Sequence, residues 1–489
     1  MSEQAASNII DEYINNHLPI SLLHLPEMKL VDRGAMKKYI QPSLKEITDY
    51  YESVSKEADE IRNFQAYSAE MKEKRHQMES KFIGGSRGPG MHLESAVKTK
   101  VMSMVREKMA YAIFSHRWLD EGEVTYHEMA GDARPAGAGL DKLKRFCDIA
   151  MEYSCRWAWA DTGCIDKTSS AQLEESIRSM YNWYANSKIC IAHLRDTTDL
   201  GDMANDPWFT RGWTLQELIA PVTIKFFNKD WKPIIAGDND KDDDWFLNRI
   251  SAITGVGQQS LRSFSPSYYD LEPLFWASKR RTTRIEDMAY CLIGFFGLTL
   301  SIAYGEGKRA FFRLQMELLE AGNDIKLLTW SYGEHSERNT MIAGGPECFS
   351  RDWPCTGHHR VFRLSITQPG QDEIKFTYGG IQAMLPKYSV RSIRAIGESV
   401  YRLNVESSGT VTVKLSAYNY DGGLDEEHPE RYAIVILGYT KRSLGDRTYG
   451  ILTQAWGSTI LKVLTDPIDL PRVTSEWPGR RIAEFIRIE

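Results

Sequence analysis

Long apolar runs are missing from this sequence. No stretch of about 18 apolar residues, the length that crosses a bilayer, occurs in it, so no membrane span is expected. The start, MSEQAASNIIDEYINNHL, has no basic end leading into an apolar stretch and so lacks the pattern of a signal peptide. Cysteine is sparse, with seven in 489 residues and no CxxC pair. An odd count in a chain this long speaks against a disulfide framework. Free thiols in a reducing compartment are the expectation, and with them a cytoplasmic location. Positive charge is not in excess either: 60 Lys and Arg stand against 66 Asp and Glu, a net charge of −6. That balance gives no electrostatic reason to expect nucleic acid as a partner.

Several signature motifs are absent too. There is no GxxxxGK[ST], and YGEGKRAFFRLQ (Tyr304 to Gln315) has only two glycines ahead of a helix, which marks a turn and helix start. No HExxH occurs, because His127 and Glu128 are followed by no second histidine at the required spacing. The acidic stretch GDNDKDDDW carries five aspartates from Asp238 to Asp244 but neither the glycine nor the terminal glutamate of an EF-hand loop, and is expected to be a solvated loop. No resident metal is expected, and no internal repeat of fixed period is found.

What is present is the composition of a soluble globular protein, 42% hydrophobic and 26% charged. The length implies two or three domains. ISLLHLPEMKLV, within residues 1–40, reads as a strand and turn near the main domain. From Pro42 to Phe82 the pattern is helical, and Leu44, Ile47, Tyr51, Val54, Ala58 and Ile61 form an apolar seam. This seam suits either packing on its own domain or an oligomer contact. After a glycine break at Gly84 to Gly90, a helix from His92 to Lys108 leads into YAIFSH, Tyr111 to His116, an apolar hexamer that reads as a buried strand. Then come the helix GLDKLKRFCDIAMEY, the strand WAWADT (Trp157 to Thr162), a helix capped by Ser169 or Ser170, the strand KICIAHL, the segment DPWFTRGWTLQELIAP, and the strand VTIKFF (Val222 to Phe227). Strands alternating with helices predict a parallel α/β sheet flanked by helices. Residues 228–330 read as mostly helical. Beyond Trp330, β-rich runs separated by Gly, Pro and Asp turns predict an antiparallel β domain. The expected boundaries are therefore a helical extension over 1–108, the α/β domain with its own helical extension over 109–330, and the β-rich domain over 331–489.

Ligands of a parallel sheet gather at the carboxyl ends of its strands. Ser115, His116, Arg117 and Trp118 follow the first strand, and Asp161, Thr162, Gly163 and Cys164 the second. Trp208, Arg211, Trp213 and Glu217 follow the third. Three consecutive connections thus offer polar groups to one rim, which is stronger evidence than any single residue. Two chemistries can be weighed on this list. Cys164 with His116 would make a thiol nucleophile and its base, although a cysteine in apolar surroundings is more often inert. A single carboxylate suffices for a different reaction. Cleavage between ribose and a cationic nicotinamide needs no general acid, because the leaving group departs neutral, and one carboxylate can stabilise the oxocarbenium-like transition state. Glu217 beside Trp213 fits that demand, whereas the structural alternative for Glu217 is pairing with Arg211.

YAIFSHRW, WAWADTGCIDKTSSAQLEESIRSMYNWYANS and WFTRGWTLQELIAP, in this order, resemble the three signature blocks of the fungal heterokaryon-incompatibility (HET) domain. RTTRIEDMAYCLIGFFGLTLSIAYGEGKRAFFRLQ, Arg281 to Gln315, is similar to the extension that often follows them. The resemblance covers about residues 109–320. It implies a role in non-self recognition and programmed cell death, and a fold related to the Toll/interleukin-1 receptor (TIR) domain. Many TIR domains cleave NAD with a glutamate in a motif like WCxxE, and WTLQE has that spacing, with Thr214 in place of the cysteine. The resemblance therefore implies catalysis by Glu217 on NAD as substrate; the strand-end rim then suggests Ser115, His116, Arg117, Trp118, Asp161, Cys164, Arg211 and Trp213 as the residues around that substrate. The resemblance implies no cofactor beyond that substrate, self-association into a homo-oligomer, and a protein trigger. SHRWL, Ser115 to Leu119, departs from the S-x-W-G usual in the family. Two readings stay open: an NAD glycohydrolase activated by self-association, and a non-enzymatic adaptor that signals death by homotypic contact.

Overall fold

The structure, a computed structural model, describes residues 3–43, 101–131, 136–322 and 342–349, a few single positions besides, and the strands between residues 361 and 486. The expected seam from Leu44 to Ile61 and the glycine break at Gly84 to Gly90 lie outside the described residues. The chain divides into two compact units, one of Met1–Asp199 with Ala220–Asp240 and one of Leu200–Ile219 with Lys241–Glu489.

The first unit is built on a six-stranded sheet. Its strands are β1 (Ser21–His24), β2 (Lys29–Asp32), β3 (Tyr111–His116), β4 (Trp157–Trp159), β5 (Ile189–His193) and β6 (Ile224–Phe227), in the spatial order β2-β1-β4-β3-β5-β6. β4, β3, β5 and β6 run parallel, as the alternation of strands and helices requires. ISLLHLPEMKLV forms the β1–β2 hairpin, which adds to β4 antiparallel. Every residue of β3, β5 and β6 is buried, which explains why they are apolar runs rather than alternating ones. The helix Ala138–Glu152 packs on β3 and β4 through Leu143, Phe146 and Ile149. The helix Ser170–Asn186 is capped by Ser169, whose hydroxyl accepts from the Gln172 amide at 3.4 Å. Its buried Tyr184 donates to the Phe114 carbonyl at 2.8 Å, tying helix to strand. WAWADT ends as a strand at Trp159, and Asp161–Cys164 turns into a single helical turn.

β6 carries Lys225 within an otherwise apolar strand. Its ammonium reaches Asp240 Oδ1 at 2.6 Å, and both side chains are almost fully buried. Asp240 Oδ2 accepts from the Phe226 amide at 2.7 Å. The acidic stretch is therefore only partly the solvated loop expected from its composition: one of its aspartates is an internal counter-ion.

In the second unit Asp243 accepts from the Phe246 amide at 2.8 Å and caps the helix Asp244–Thr254. Asp244 pairs with Arg262. Further short helices follow, and Arg309–Gly322 is the longest of those described between residues 258 and 322. Beyond Val361 the antiparallel pairing expected of the C-terminal region is found. The strands Gly409–Lys414, Val400–Val405, Lys387–Gly397, Tyr432–Thr440, Arg447–Trp456 and Thr459–Lys462 lie in that order within an eight-stranded sheet, and a three-stranded sheet accompanies it.

Candidate functional site

In the first unit the connection after β3 leads to β4 on one side and the connection after β5 leads to β6 on the other, so the two leave in opposite directions. That arrangement opens a crevice at the carboxyl ends of β3 and β5, where α/β sheets bind ligands. His116 and His193, the last residues of these strands, are register partners. The structure brings three of the expected residues into contact there. His116 Nε2 lies 3.3 Å from Asp161 Oδ1, and the Trp118 indole donates to Asp161 Oδ2 at 2.8 Å. Burial by itself would raise the Asp161 carboxyl, but the His116 hydrogen bond, the nearby Lys167 ammonium and Trp118 hold it well below the ordinary carboxylate range. Burial lowers the His116 imidazole, with Asp161 acting in the opposite sense, and lowers His193 to about 4. His193 is stacked on Trp231 at 4.1 Å. Both rings are therefore neutral near pH 7, and His116 Nδ1 and His193 Nε2 are buried without a hydrogen-bond partner. Arg117 reaches from the end of β3 to Asp196, beyond the end of β5, at 3.2 Å.

Two residues that the sequence reading missed complete this rim. Glu123 accepts from the Leu119 amide at 2.6 Å, pairs with Lys142, and lies 3.8 Å from His116 Nδ1. Lys142 also donates to the Arg117 carbonyl at 3.4 Å. Together they fold the connection after β3 back onto the sheet. A signal was present: Lys142 falls on the same helical stripe as Phe146 and Ile149, so its ammonium had to meet an internal partner. Next to the rim is a cavity of about 310 Å³, walled by Trp118, Tyr126, Thr162, Ile165 and Lys167 among others. The Lys167 ammonium sits 3.7 Å from the centre of the Trp118 ring, a cation–π contact. Ser115 and Cys164 are fully buried, and burial pushes the Cys164 thiol up to about 12. With His116 bound to Asp161, the thiol nucleophile weighed from the sequence has no support.

Arg211, Trp213 and Glu217 belong to the second unit. Asp206 accepts from the Trp208 amide at 2.9 Å and starts the turn Pro207–Thr210, which is followed by the helix Thr214–Ile219. Leu215 and Leu218 are buried, and Glu217 keeps 8% of its surface. Arg280, 5% exposed, donates through Nη1 to the Arg211 carbonyl at 2.7 Å and to Thr214 Oγ1 at 2.9 Å. Thr214 in turn donates to the Trp208 carbonyl at 2.5 Å. Residue 214, where the TIR motif has cysteine, is thus a hydroxyl that joins the turn, the helix and the arginine. Arg281 bridges to Arg211 along the backbone, and Gly212 lets that segment approach: a Cβ at this position would lie 2.4 Å from Thr282 Cγ2. Trp213 is half-buried and its indole donates to the Asp287 carboxylate, which also accepts from the Tyr304 hydroxyl at 2.8 Å.

The glycines of YGEGK have a structural task. Gly305 and Gly307 take left-handed backbone conformations, and their amides both donate to Glu286 Oε1, at 2.8 and 3.0 Å. The donors that a phosphate would need are held by the protein's own carboxylate.

Residues 111–204 match the family model described as heterokaryon incompatibility protein (HET). The chain is also similar to the vegetative incompatibility protein HET-E-1 of Podospora anserina, 38% identical over 250 residues, which is 48% of this chain. The match takes up 18% of that relative's length. No solved structure matches significantly. The family match begins at the first residue of β3 and runs through β4 and β5, so it contains the crevice with its His116, Asp161 and Trp118. This chain therefore carries, at residues 111–204, a segment that matches the heterokaryon-incompatibility (HET) domain.

Proposed function

We propose that this protein is an effector of non-self recognition and cell death in the cytoplasm, and that it cleaves NAD at the nicotinamide–ribose bond once it has self-associated. The likeness to a vegetative incompatibility protein supports the biological role. The observation that carries the chemistry is Glu217, a nearly buried carboxylate in a W-x-x-x-E sequence, on a helix pinned at its first turn by a buried arginine. In this reaction the bond between ribose C1′ and the nicotinamide nitrogen breaks, and its electron pair neutralises the ring nitrogen. Water then adds to C1′ and releases a proton, giving ADP-ribose and nicotinamide. Glu217 stabilises the cationic ribose in the transition state. The parallel order of β4, β3, β5 and β6 supports the proposed relation to TIR domains, because it is the beginning of a doubly wound sheet.

The test is incubation of the purified full chain with NAD, dilute and concentrated, while nicotinamide is followed. The parent is expected to release nicotinamide more than proportionally as concentration rises, and Glu217→Gln to lose about a hundredfold or more. Equal cleavage by Glu217→Gln removes the assignment to Glu217. Undiminished killing on expression by a folded, non-cleaving Glu217→Gln protein would instead favour the adaptor that works by homotypic contact.

A further inference from the structure

The Arg280 guanidinium is an unusual thing to bury, because its two hydrogen-bond acceptors given by the structure are uncharged: a backbone carbonyl and a threonine hydroxyl. Its Nη2 is buried without a hydrogen-bond partner. A charged group kept in such a place is costly unless its charge acts on something nearby. Two ionisable groups act on it, the Cys291 thiol and the Glu217 carboxylate. Burial pushes the thiol far up, so Cys291 is uncharged and acts on the guanidinium only weakly. The two acceptors of Nη1 also have a common location. Arg211 O and Thr214 Oγ1 flank the start of the helix Thr214–Ile219, and the Glu217 amide donates to the Trp213 carbonyl at 3.4 Å within that same short element. A helix of six residues cannot hold its own geometry in isolation, so what fixes its first turn also fixes the direction of Glu217.

We propose that Arg280 is the positioning residue for Glu217: through Nη1 it fastens the first turn of the glutamate's helix to the preceding turn and so sets the direction of the carboxylate. The catalytic consequence rests on the NAD-cleaving reading above, while the fastening and the influence of the nearby cation on the carboxylate do not. Burial lowers Arg280 to about 10, which leaves it a cation throughout the physiological range. Thr214 is the second half of the device, because it accepts from Arg280 and passes the contact on to Trp208.

Arg280→Met, Arg280→Lys and Thr214→Val, each checked for folding by circular dichroism and thermal melting, separate the two roles. The Glu217 carboxyl is titrated by carbon-13 NMR in the full-length chain, with Glu217→Gln identifying the resonance. Arg280→Met is expected to raise its midpoint by about one pH unit or more, and Arg280→Lys to restore it. Thr214→Val should leave the midpoint in place but lower kcat for NAD about tenfold at unchanged KM, because the carboxylate stays charged but swings out of line. If Arg280→Met does not fold, Thr214→Val still decides: an undiminished kcat for NAD in the folded variant overturns the proposal. An unmoved midpoint in a folded Arg280→Met protein overturns it as well. If the parent releases no nicotinamide, the NAD-cleaving reading fails, and the titration alone then upholds or overturns the role of Arg280.

Discussion

The two units bury charge in different ways. In the first, internal ions come in opposite pairs, Lys225 with Asp240 at 2.6 Å and Lys142 with Glu123, while Asp161 is held by hydrogen bonds from the neutral His116 ring and from Trp118. In the second, Arg280 is fastened by a carbonyl and a hydroxyl, and the Glu217 carboxylate acts on it electrostatically. Close pairs fix a shape and leave little field beyond themselves. A cation tied down by neutral oxygens fixes a shape and still acts on its surroundings. The contrast separates a scaffold from a candidate reactive centre, although both consist of buried charged side chains.

Removing half of a pair should give the largest effect. Asp240→Ala leaves the Lys225 ammonium and the Phe226 amide without their carboxylate, and is expected to lower stability in urea by about 3–5 kcal/mol. Lys225→Met together with Asp240→Leu should recover most of that loss, and if the double variant is as unstable as the single one, the pair is not what the cost reports. Next in size is a pH effect confined to the first unit. Because burial lowers His193 from 6.5 to about 4, the unfolded chain binds a proton that the folded chain refuses within that window. The stabilisation is complete above the unfolded value and is lost as pH falls from 6.5 toward 4, by about 3 kcal/mol. His193→Phe, which keeps the stack on Trp231, should flatten this slope in denaturation curves recorded across the window; an unchanged slope would assign it to other groups. The smallest effect tests the second unit through packing. Gly212→Ala places a methyl group against Thr282 and Cys291 and should cost about 2 kcal/mol in thermal unfolding. A neutral result there would mean that the Arg211–Arg281 bridge adjusts freely and does not constrain the helix that follows.

Much of the first unit could be read from the sequence, because apolar hexamers and short runs such as YAIFSH have few other ways to be satisfied than as buried parallel strands. Cap chemistry narrowed the helix start to Ser169 or Ser170, of which Ser169 is the cap, and the strand pattern placed His116 and Asp161 at strand ends. Residues whose meaning depends on a distant partner were not found. Lys225 and Asp240 are fifteen positions apart, Glu123 and Lys142 nineteen, and Thr214 and Arg280 sixty-six. A lysine inside VTIKFF was nevertheless a visible sign that an internal anion existed, even though the sequence did not say which one. WAWADT shows the opposite limit: its apolar start predicted a strand through Thr162, but the Asp161 carboxylate is bound by His116 and Trp118, and the chain turns there. For the helix of Glu217, the aromatic crowding was plain in the sequence, whereas the arginine that fastens it lies in a segment with no motif of its own.

The edges of the six-stranded sheet bear on how copies of this protein can meet. On β6 the outward Ile224 and Phe226 amides are occupied by Asn239 and Asp240, and the Phe226 carbonyl accepts from the Ile234 amide at 3.0 Å. The opposite edge, β2, is four residues long with a charged residue at each end. Both margins are poor templates for continuing the sheet from one molecule into the next. Any association of this unit would then use side chains on helix and loop surfaces, and growth of a shared sheet is disfavoured.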